Sequence, residues 1–426
     1  MTKHITQLKI NTTGPLHYLK LWLLVFMAAW LMGCSILRPH SPPPYKLESM
    51  VQIPGFPNVR AWGDEFSPVF QKDVKLAKEQ EKQSGLYEAG GKVNILAISG
   101  GGGDGAFGAG LLCGWSASGT RPTFKLVTGV STGALTAPFA FLGPSYDEKL
   151  KKVYTSITGK DIFMMKSVIA MFFSDAVGLN DPLADLTAQI VDEQMLKDVA
   201  TEHSKGRRLF VSTTALDAQR PVVWNMGAIA ASGHPKALEL FRKIMIASAA
   251  IPVAFPPSYI KVEAGGERWD EMHVDGGVAN QVFLYGAMLD FRKQKASSTR
   301  RDAHVYIIRN TQIRPVWQKV SPVMQSIAPR SVASLIKAQG IGDLYRIFAT
   351  TERDKLDFNL AFIPDALDTN REDEFDNRVM NILFETGYNL GKRGYAWQKV
   401  PPGYIPEKNE EDQDDAALID SPAVVQ

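Results

Sequence analysis

A serine between two glycines has the residue types and spacing that acyl transfer needs. Residues 129–133 read Gly-Val-Ser-Thr-Gly, with Ser131 at the centre. This is the G-x-S-x-G pattern of a nucleophile on a sharp strand-to-helix turn. Gly129 and Gly133 carry no Cβ atom that would clash in such a turn. The pattern predicts an accessible hydroxyl group that attacks a carbonyl carbon.

A glycine-rich stretch precedes this serine in the chain. Ser99–Gly110 reads SGGGGDGAFGAG. Glycine lets the backbone approach a ligand closely, and the start of a helix favours negative charge. The sequence therefore predicts an anion site, occupied either by a nucleotide pyrophosphate or by the oxyanion of an acyl-transfer intermediate.

The nucleotide alternative lacks its other parts. Gly100, Gly102 and Gly105 satisfy G-x-G-x-x-G. The dinucleotide fingerprint also requires an acidic residue about 20 positions later, but no acid occurs between Asp104 and Asp147. A P-loop would need Gly-Lys-Ser/Thr after the glycines, which is absent from this stretch. The sequence favours the oxyanion and leaves nucleotide binding as the weaker alternative.

The partner of Ser131 is sought in the stretch WDEMHVDGGVAN, which contains His273 and Asp275. Asp275 precedes Gly276 and Gly277, which place its carboxylate on a tight turn. Burial raises a carboxylate pKa from about 3.9 towards a value useful for a base. A Ser-His mechanism through His273 and a purely structural turn remain alternatives.

The elements around these motifs alternate between strand and helix. Strands are predicted at Val93–Ile98 and Phe124–Val130, and helices at Ala106–Ser118 and Thr132–Leu142. This βαβα order indicates an α/β fold with a parallel sheet covered by helices. Adjacent parallel strands would place the glycine loop beside Ser131.

Further elements are predicted along the chain. Strands are expected at Leu209–Thr214 and Val305–Ile308, and helices at His234–Ala249 and Arg378–Leu390, the last capped by Asp376.

Ile162–Phe173 is apolar on nearly all sides. It is interpreted as a buried helix, with a lipid-facing flap as the alternative.

The N-terminus has the features of an export signal. Leu21–Met32 is an apolar run too short to span a bilayer comfortably. Leu31–Cys34 reads LMGC and resembles the bacterial lipobox, whose cysteine becomes the lipid-modified first residue. By that resemblance, Ser35 favours the outer membrane. We expect a lipid anchor at Cys34 and a location in the bacterial envelope, facing the periplasm; a membrane anchor helix is the alternative.

Composition limits the possible partners. The 426 residues are 45% hydrophobic with a net charge of +2, which favours a globular protein and gives no reason to expect nucleic-acid binding. Cys113 is the only cysteine besides Cys34, so no internal disulfide is expected. No metal-ligand spacing is recognised and no cofactor is expected. The oligomeric state is not predicted.

In this order, SGGGGDGAFGAG, GVSTG and DGG resemble the patatin-like phospholipases. ASAAIPVAFPP at Ala247–Pro257 is similar to the segment before that family's aspartate, and Phe358–Asp376 is similar to its bacterial lipoprotein members. The resemblance implies a three-layer fold with a central, mostly parallel sheet flanked by helices. It also implies a Ser-Asp dyad at the carboxyl ends of strands.

Carried over by residue, the resemblance makes Ser131 the nucleophile and Asp275 its partner. Gly100–Gly103 would form the oxyanion loop, with Gly101 and Gly102 as the favoured donors. Two positions depart from the family pattern.

Ser99 stands where an aspartate is usual, and Asp104 stands where a basic residue is usual. An acid there either points into the anion site or caps the following helix, and the cap is favoured.

The chain is accordingly divided into five predicted segments. They are a lipoprotein signal peptide (1–33), a proline-rich tether with an N-terminal helical segment (34–91), the catalytic domain (92–310), its C-terminal helical extension (311–406) and an acidic disordered tail (407–426). The predicted function is hydrolysis of lipid acyl esters by a membrane-anchored enzyme. The alternative from another class is a non-catalytic envelope lipoprotein that keeps the scaffold.

Overall fold

The computed structural model describes residues 38, 41–86, 91–156, 164–165, 178–179, 181–290, 302–369, 371 and 373–405. The predicted signal peptide (1–33), Cys34 and the tail 407–426 lie outside the described residues. So does all of Ile162–Phe173 except Met164 and Met165.

A nine-stranded sheet forms the centre of the described structure. Numbered in chain order, its strands are β1 Arg60–Trp62, β2 Val93–Ile98, β3 Leu126–Val130, β6 Arg208–Ala215, β7 Arg220–Asn225, β8 Ser258–Ala264, β9 Glu267–Asp275, β10 Ala303–Gln312 and β11 Asp357–Ile363. A separate two-stranded pair is formed by β4 Met164–Met165 and β5 Gly178–Leu179.

The middle of the large sheet is parallel. Strands β6, β3, β2, β10 and β11 run in the same direction in that order. Antiparallel strands lie beyond β6: β7 and β1 continue the sheet, and β9 also pairs with β6 and carries β8. The predicted α/β fold with a central, mostly parallel sheet is therefore confirmed.

Ten α-helices surround this sheet within the described residues. They are α1 Pro68–Gln83, α2 Gly105–Ala117, α3 Thr132–Leu142, α4 Asp147–Thr155, α5 Asp181–Ile190, α6 Glu193–Ser204, α7 Met226–Ala230, α8 Ala237–Ser248, α9 Met324–Asp354 and α10 Asn377–Lys392. The predicted β2 and α3 match the structure in both bounds, and Asp376 caps α10 as expected.

Both faces of the sheet are buried. On β2, Leu96 and Ile98 belong to one hydrophobic cluster, while Ile95 and Ala97 belong to another. Successive strand residues point to opposite faces, so a strand covered on both sides must be apolar throughout. This explains why Val93–Ile98 does not alternate between polar and apolar residues.

Glycines also allow α2 and α10 to pack in direct backbone contact. A Cβ atom on Gly110 would lie 2.0 Å from the carbonyl oxygen of Phe384, and one on Gly114 would lie 2.0 Å from that of Tyr388. These distances leave no space for a side chain. Part of the glycine-rich stretch therefore serves helix packing instead of the anion site.

Of the eleven strands in the described structure, β2, β3, β6 and β10 were predicted from the sequence and the other seven were not. β1 lies within the segment interpreted as tether and helix, and β11 lies within the C-terminal extension. β1 has three residues, which is too short for a periodic signal. Within the described ranges, no helix has the length and apolar character needed to cross a membrane.

Candidate active site

Ser131 lies between the end of β3 and the start of α3, as a nucleophile elbow requires. Its dihedral angles are φ 55° and ψ −126°, which side-chain-bearing residues rarely adopt. A Cβ atom on Gly129 would lie 2.4 Å from the Gly133 carbonyl oxygen, and one on Gly133 would lie 2.4 Å from that of Ile98. The turn therefore has room only for glycine on both sides of Ser131.

A second serine, Ser248, holds the backbone of Ser131. The Ser131 N–H donates to Ser248 Oγ at 3.0 Å, and the Ser248 hydroxyl donates to the Ser212 carbonyl oxygen at 2.7 Å. Ser248 is fully buried at the end of α8. No role for Ser248 was predicted from the sequence. Its one signal is its place in the ASAAIPVAFPP stretch.

Asp275 reaches Ser131 from the last position of β9. This strand pairs with β6, which lies beside β3. The Asp275 carboxylate accepts hydrogen bonds from the Ser131 hydroxyl and from the Gly277 N–H, the latter at 2.7 Å. Burial raises the pKa of Asp275 to about 7, although both hydrogen bonds act in the opposite direction. Such a carboxylate can accept and return a proton near neutral pH.

His273 is directed to other partners. Its Nδ1 lies 2.9 Å from Thr213 Oγ1 and its Nε2 lies 3.0 Å from Glu271 Oε2. Burial lowers the pKa of His273, which favours the neutral ring. Both ring nitrogens are therefore engaged, and Asp275 is the group in contact with the serine.

The four predicted oxyanion glycines fall into two pairs. The Gly100 N–H donates to the Gln281 carbonyl oxygen at 3.0 Å, and the Gly103 N–H donates to the Glu374 carboxylate. Among the described residues, no acceptor is hydrogen-bonded to the N–H of Gly101 or Gly102. These two donors remain available for an external oxyanion.

The loop is fastened to β10 by Ser99 and Asn310. The Ser99 hydroxyl donates to the Gly100 carbonyl oxygen at 2.7 Å and accepts from the Asn310 N–H at 2.8 Å. The Asn310 side chain donates to the Ser99 carbonyl oxygen at 3.0 Å. A Cβ atom on Gly101 would lie 2.3 Å from the Asn310 carbonyl oxygen. Ser99 thus fixes the loop at the position where the family usually has an aspartate.

Asp104 does not cap α2, so that prediction is wrong. Its side chain makes no capping hydrogen bond. It forms an ion pair with Arg371, whose other terminal nitrogen donates to Glu374 at 2.9 Å. A cation from the C-terminal segment draws the Asp104 carboxylate away from the helix N–H groups.

The remaining predicted glycines lie at close contacts. A Cβ atom on Gly105 would lie 2.2 Å from Thr132 Oγ1, and one on Gly276 would lie 2.4 Å from the Ser212 carbonyl oxygen. They keep α2 close to α3, and the Asp275 turn close to β6. No group of three or more His, Cys, Asp or Glu residues in the described ranges could hold a metal ion.

A largely apolar pocket opens at Ser131. Its empty volume, including the open mouth, is about 530 Å³. Gly102, Ser131 and Thr132 line it together with apolar side chains from several elements. These are Leu135, Val153, Leu183, Leu186, Ile251, Phe255, Phe375 and Met380. The pocket suits an apolar chain whose polar end meets the serine.

The chain is similar to one known protein family and to a solved structure. The family model for patatin-like phospholipase matches residues 96–288. No curated protein matches the chain. Among solved structures, the crystal structure of VipD from Legionella pneumophila is similar, with 11% sequence identity and a TM-score of 0.38. That match covers 72% of this chain and 66% of VipD. Residues 96–288, which include Ser131 and Asp275, are therefore similar to the patatin-like phospholipase family, in agreement with the resemblance of the motifs.

Proposed function

We propose that this protein is a membrane-anchored serine hydrolase that cleaves fatty-acyl esters of lipids. The match of residues 96–288 to patatin-like phospholipase supports lipid acyl hydrolysis in general terms. One observation carries the finer proposal: a buried carboxylate with a pKa of about 7 accepts the hydrogen bond of the Ser131 hydroxyl. The N–H groups of Gly101 and Gly102 lie on the neighbouring loop.

In the first half of the reaction, Asp275 takes the hydroxyl proton as Ser131 Oγ bonds to the ester carbonyl carbon. The carbonyl oxygen becomes an oxyanion that accepts hydrogen bonds from the N–H groups of Gly101 and Gly102. Donors fixed in advance stabilise this charge without reorganising, and losing one typically costs about 3–4 kcal/mol of barrier. The carbon–oxygen bond to the alcohol then breaks, and Asp275 returns its proton to the departing alcohol.

In the second half, water attacks the acyl-serine and gives a proton to Asp275. The bond between the carbonyl carbon and Ser131 Oγ breaks, the serine regains its proton from Asp275, and the fatty acid leaves. The same carboxylate therefore acts as base and acid in turn, which favours a pKa close to the working pH.

The substrate class follows from the pocket and from the predicted anchor. The apolar walls suit a fatty-acyl chain, and each buried methylene contributes roughly 0.8 kcal/mol. A lipidated Cys34 would hold the enzyme at the envelope membrane, where its substrates lie. We place it at the outer membrane facing the periplasm, on the sequence evidence alone.

Labelling with a fluorophosphonate, followed by hydrolysis of phospholipids, lysophospholipids, neutral glycerides and thioesters, tests this proposal. The parent protein should be labelled and should release fatty acid, whereas Ser131→Ala should do neither. Asp275→Asn should lose nearly all turnover, and His273→Gln should keep most of it. A folded parent that neither labels nor hydrolyses any substrate would instead support the non-catalytic scaffold.

The anchor is tested separately. The parent should incorporate labelled palmitate when it is produced in bacteria, whereas Cys34→Ser should not. A parent protein without the label would contradict lipidation.

A further inference from the structure

One part of the chain is cationic and contains no acids. Between Asp302 and Asp343 the sequence has no acidic residue. From position 314 to position 337 it carries four basic residues, which are Arg314, Lys319, Arg330 and Lys337. This part comprises the segment before α9 and the first turns of that helix. The charge contrasts with the whole chain, whose net charge is only +2.

The same part concentrates exposed apolar side chains. Of the 21 exposed large hydrophobic residues in the described structure, nine lie between 316 and 336. Trp317 is 86% exposed, Met324 79% and Leu335 70%. The others are Val316, Val320, Val323, Ile327, Val332 and Ile336. An apolar cluster of this density in one segment marks an interaction surface. We call residues 316–337 the docking surface.

In the helical portion of this surface, the named apolar and cationic residues lie on different faces. Ile327 follows Met324 by three residues, and Leu335 follows Ile327 by eight. This spacing places all three side chains on one face of α9. Arg330 and Lys337 are seven residues apart and share a different face. Two cations therefore flank an apolar stripe instead of interrupting it.

Arg330 and Lys337 also fasten the preceding segment to the helix. Arg330 donates to the Val316 carbonyl oxygen and to Gln318 Oε1, and Lys337 donates to the Arg314 carbonyl oxygen. Trp317 lies between the two residues that Arg330 contacts, so its exposed ring is held beside the helix. The segment that carries Trp317 is therefore attached to the same helix as the apolar stripe.

These contacts leave the positive charges unneutralised. The acceptors that Arg330 and Lys337 contact are backbone carbonyls and an amide, none of which is charged. Within the described residues, Arg330 and Lys337 form no ion pair with an acid, whereas Arg314 pairs with Asp365 at 3.3 Å. The surface therefore keeps a net positive charge beside its apolar stripe.

We propose that the docking surface binds to lipid membranes that contain anionic lipids. Amphipathic helices with basic polar faces lie in the membrane interface, and exposed tryptophan favours the same depth. Anionic headgroups attract each nearby Lys or Arg, which complements the cations Lys319, Arg330 and Lys337 of this surface. This contact is distinct from a lipid anchor at Cys34.

The docking surface lies close to the catalytic residues. One turn beyond Leu335, Gln339 donates to the Val278 carbonyl oxygen at 3.1 Å. Val278 follows Asp275 by three residues and is itself exposed. Membrane contact through α9 would therefore hold the Asp275 turn close to the lipid.

A fluorescent label that responds to polarity tests insertion at this site. The chain from Ser35 to Gln426, which lacks the predicted signal peptide and Cys34, carries Ser131→Ala, so that it has no anchor and does not hydrolyse the vesicles. The label is placed at Leu335→Cys, with Leu76→Cys on α1, another exposed leucine, as the matched control. Cys113 should stay unlabelled, because burial raises its thiol pKa to about 12.

Vesicles of phosphatidylcholine with phosphatidylglycerol should shift the emission of the label at position 335 to shorter wavelength and leave the label at position 76 unchanged. Equal responses at the two positions, or none at position 335, would overturn the proposal. Because the chain is catalytically inactive, this result does not depend on the proposed function.

Partitioning of unlabelled variants supplies the second measurement. Leu335→Asp should weaken vesicle binding by about tenfold or more, whereas Leu76→Asp should not change it. Arg330→Gln and Lys337→Gln should each weaken binding to the anionic vesicles by about fivefold, and by less on phosphatidylcholine alone. If Leu335→Asp dissociates a dimer in sedimentation but leaves vesicle binding unchanged, the surface joins two copies of the chain and the proposal fails.

Discussion

Arg371 pairs with Asp104 and thereby ties the C-terminal segment to the glycine loop. Both side chains are largely buried, at 11% and 18% exposure. Asp104 occupies the position where a basic residue is usual in the family, so the cation at this place comes from another part of the chain. Glu374 accepts from Arg371 and from the Gly103 N–H, and Phe375 lines the pocket. The segment therefore supports the loop from outside.

The first prediction concerns this pair. Arg371→Ala leaves the Asp104 carboxylate without its partner. Removing one partner of a fully buried ion pair typically lowers the stability of the fold by about 3–5 kcal/mol, and we expect a smaller loss here because both side chains are partly exposed. We expect the loop to loosen and kcat to fall by at least tenfold, with a smaller change in KM. Ester hydrolysis under saturating substrate measures this.

A charge exchange provides the control for the pair. Asp104→Arg and Arg371→Asp should each reduce kcat, and the double variant should recover part of it because opposite charges face each other again. If the factor by which kcat falls in the double variant equals the product of the factors in the two single variants, the two side chains are not directly coupled.

The sequence predicts the motif residues well because their chemistry is local. The glycines on both sides of Ser131 and those after Asp275 are required by the backbone geometry of tight turns, which depends only on residues a few positions away. Ser248, Gln281 and Arg371 were not predicted, since each acts on a residue far away in the chain. Their roles depend on which strands and helices become neighbours, and no spacing within one motif carries that information.

The Asp104 prediction failed for the same reason. An aspartate before a helix normally caps it, because its oxygen reaches unpaired N–H groups. Arg371 lies more than 250 residues later and offers a full positive charge instead. A partner so distant in sequence leaves no trace around position 104.

The second prediction concerns Ser248. Ser248→Ala removes the acceptor of the buried Ser131 N–H, and leaving such a donor unpaired costs about 1–3 kcal/mol. The unfavourable φ of Ser131 should then be held less firmly, so kcat should fall along with the free energy of unfolding. Ser204→Ala on α6 removes an exposed hydroxyl that bonds only its own helix, and should change neither quantity. Unchanged kcat in Ser248→Ala would show that Ser131 holds its conformation without it.

The third prediction is the pH dependence of catalysis. Asp275 must be ionised to take the serine proton, and burial raises its pKa to about 7. The kcat/KM for a soluble ester should therefore rise tenfold per pH unit below about pH 7 and level off above it. Rates are measured from pH 5 to 9, with circular dichroism to confirm that the protein stays folded. A midpoint below pH 5 would exclude Asp275 as a buried base.

The fourth prediction concerns stability. The pKa of Asp275 is raised from 3.8 to about 7 in the folded protein, so between these values the folded state binds more protons than the unfolded state. The free energy of unfolding contributed by this residue therefore falls as pH rises from about 4 to about 7, by an amount on the order of a few kcal/mol. Asp275→Asn cannot ionise and avoids this loss while keeping an oxygen that accepts from Ser131. Urea denaturation should find the variant more stable than the parent at pH 8, with the difference shrinking towards pH 4. Asp185 is exposed, so Asp185→Asn should show no such trend. If Asp275→Asn is instead destabilised by the same amount at every pH, burial of the Asp275 charge does not lower the free energy of unfolding.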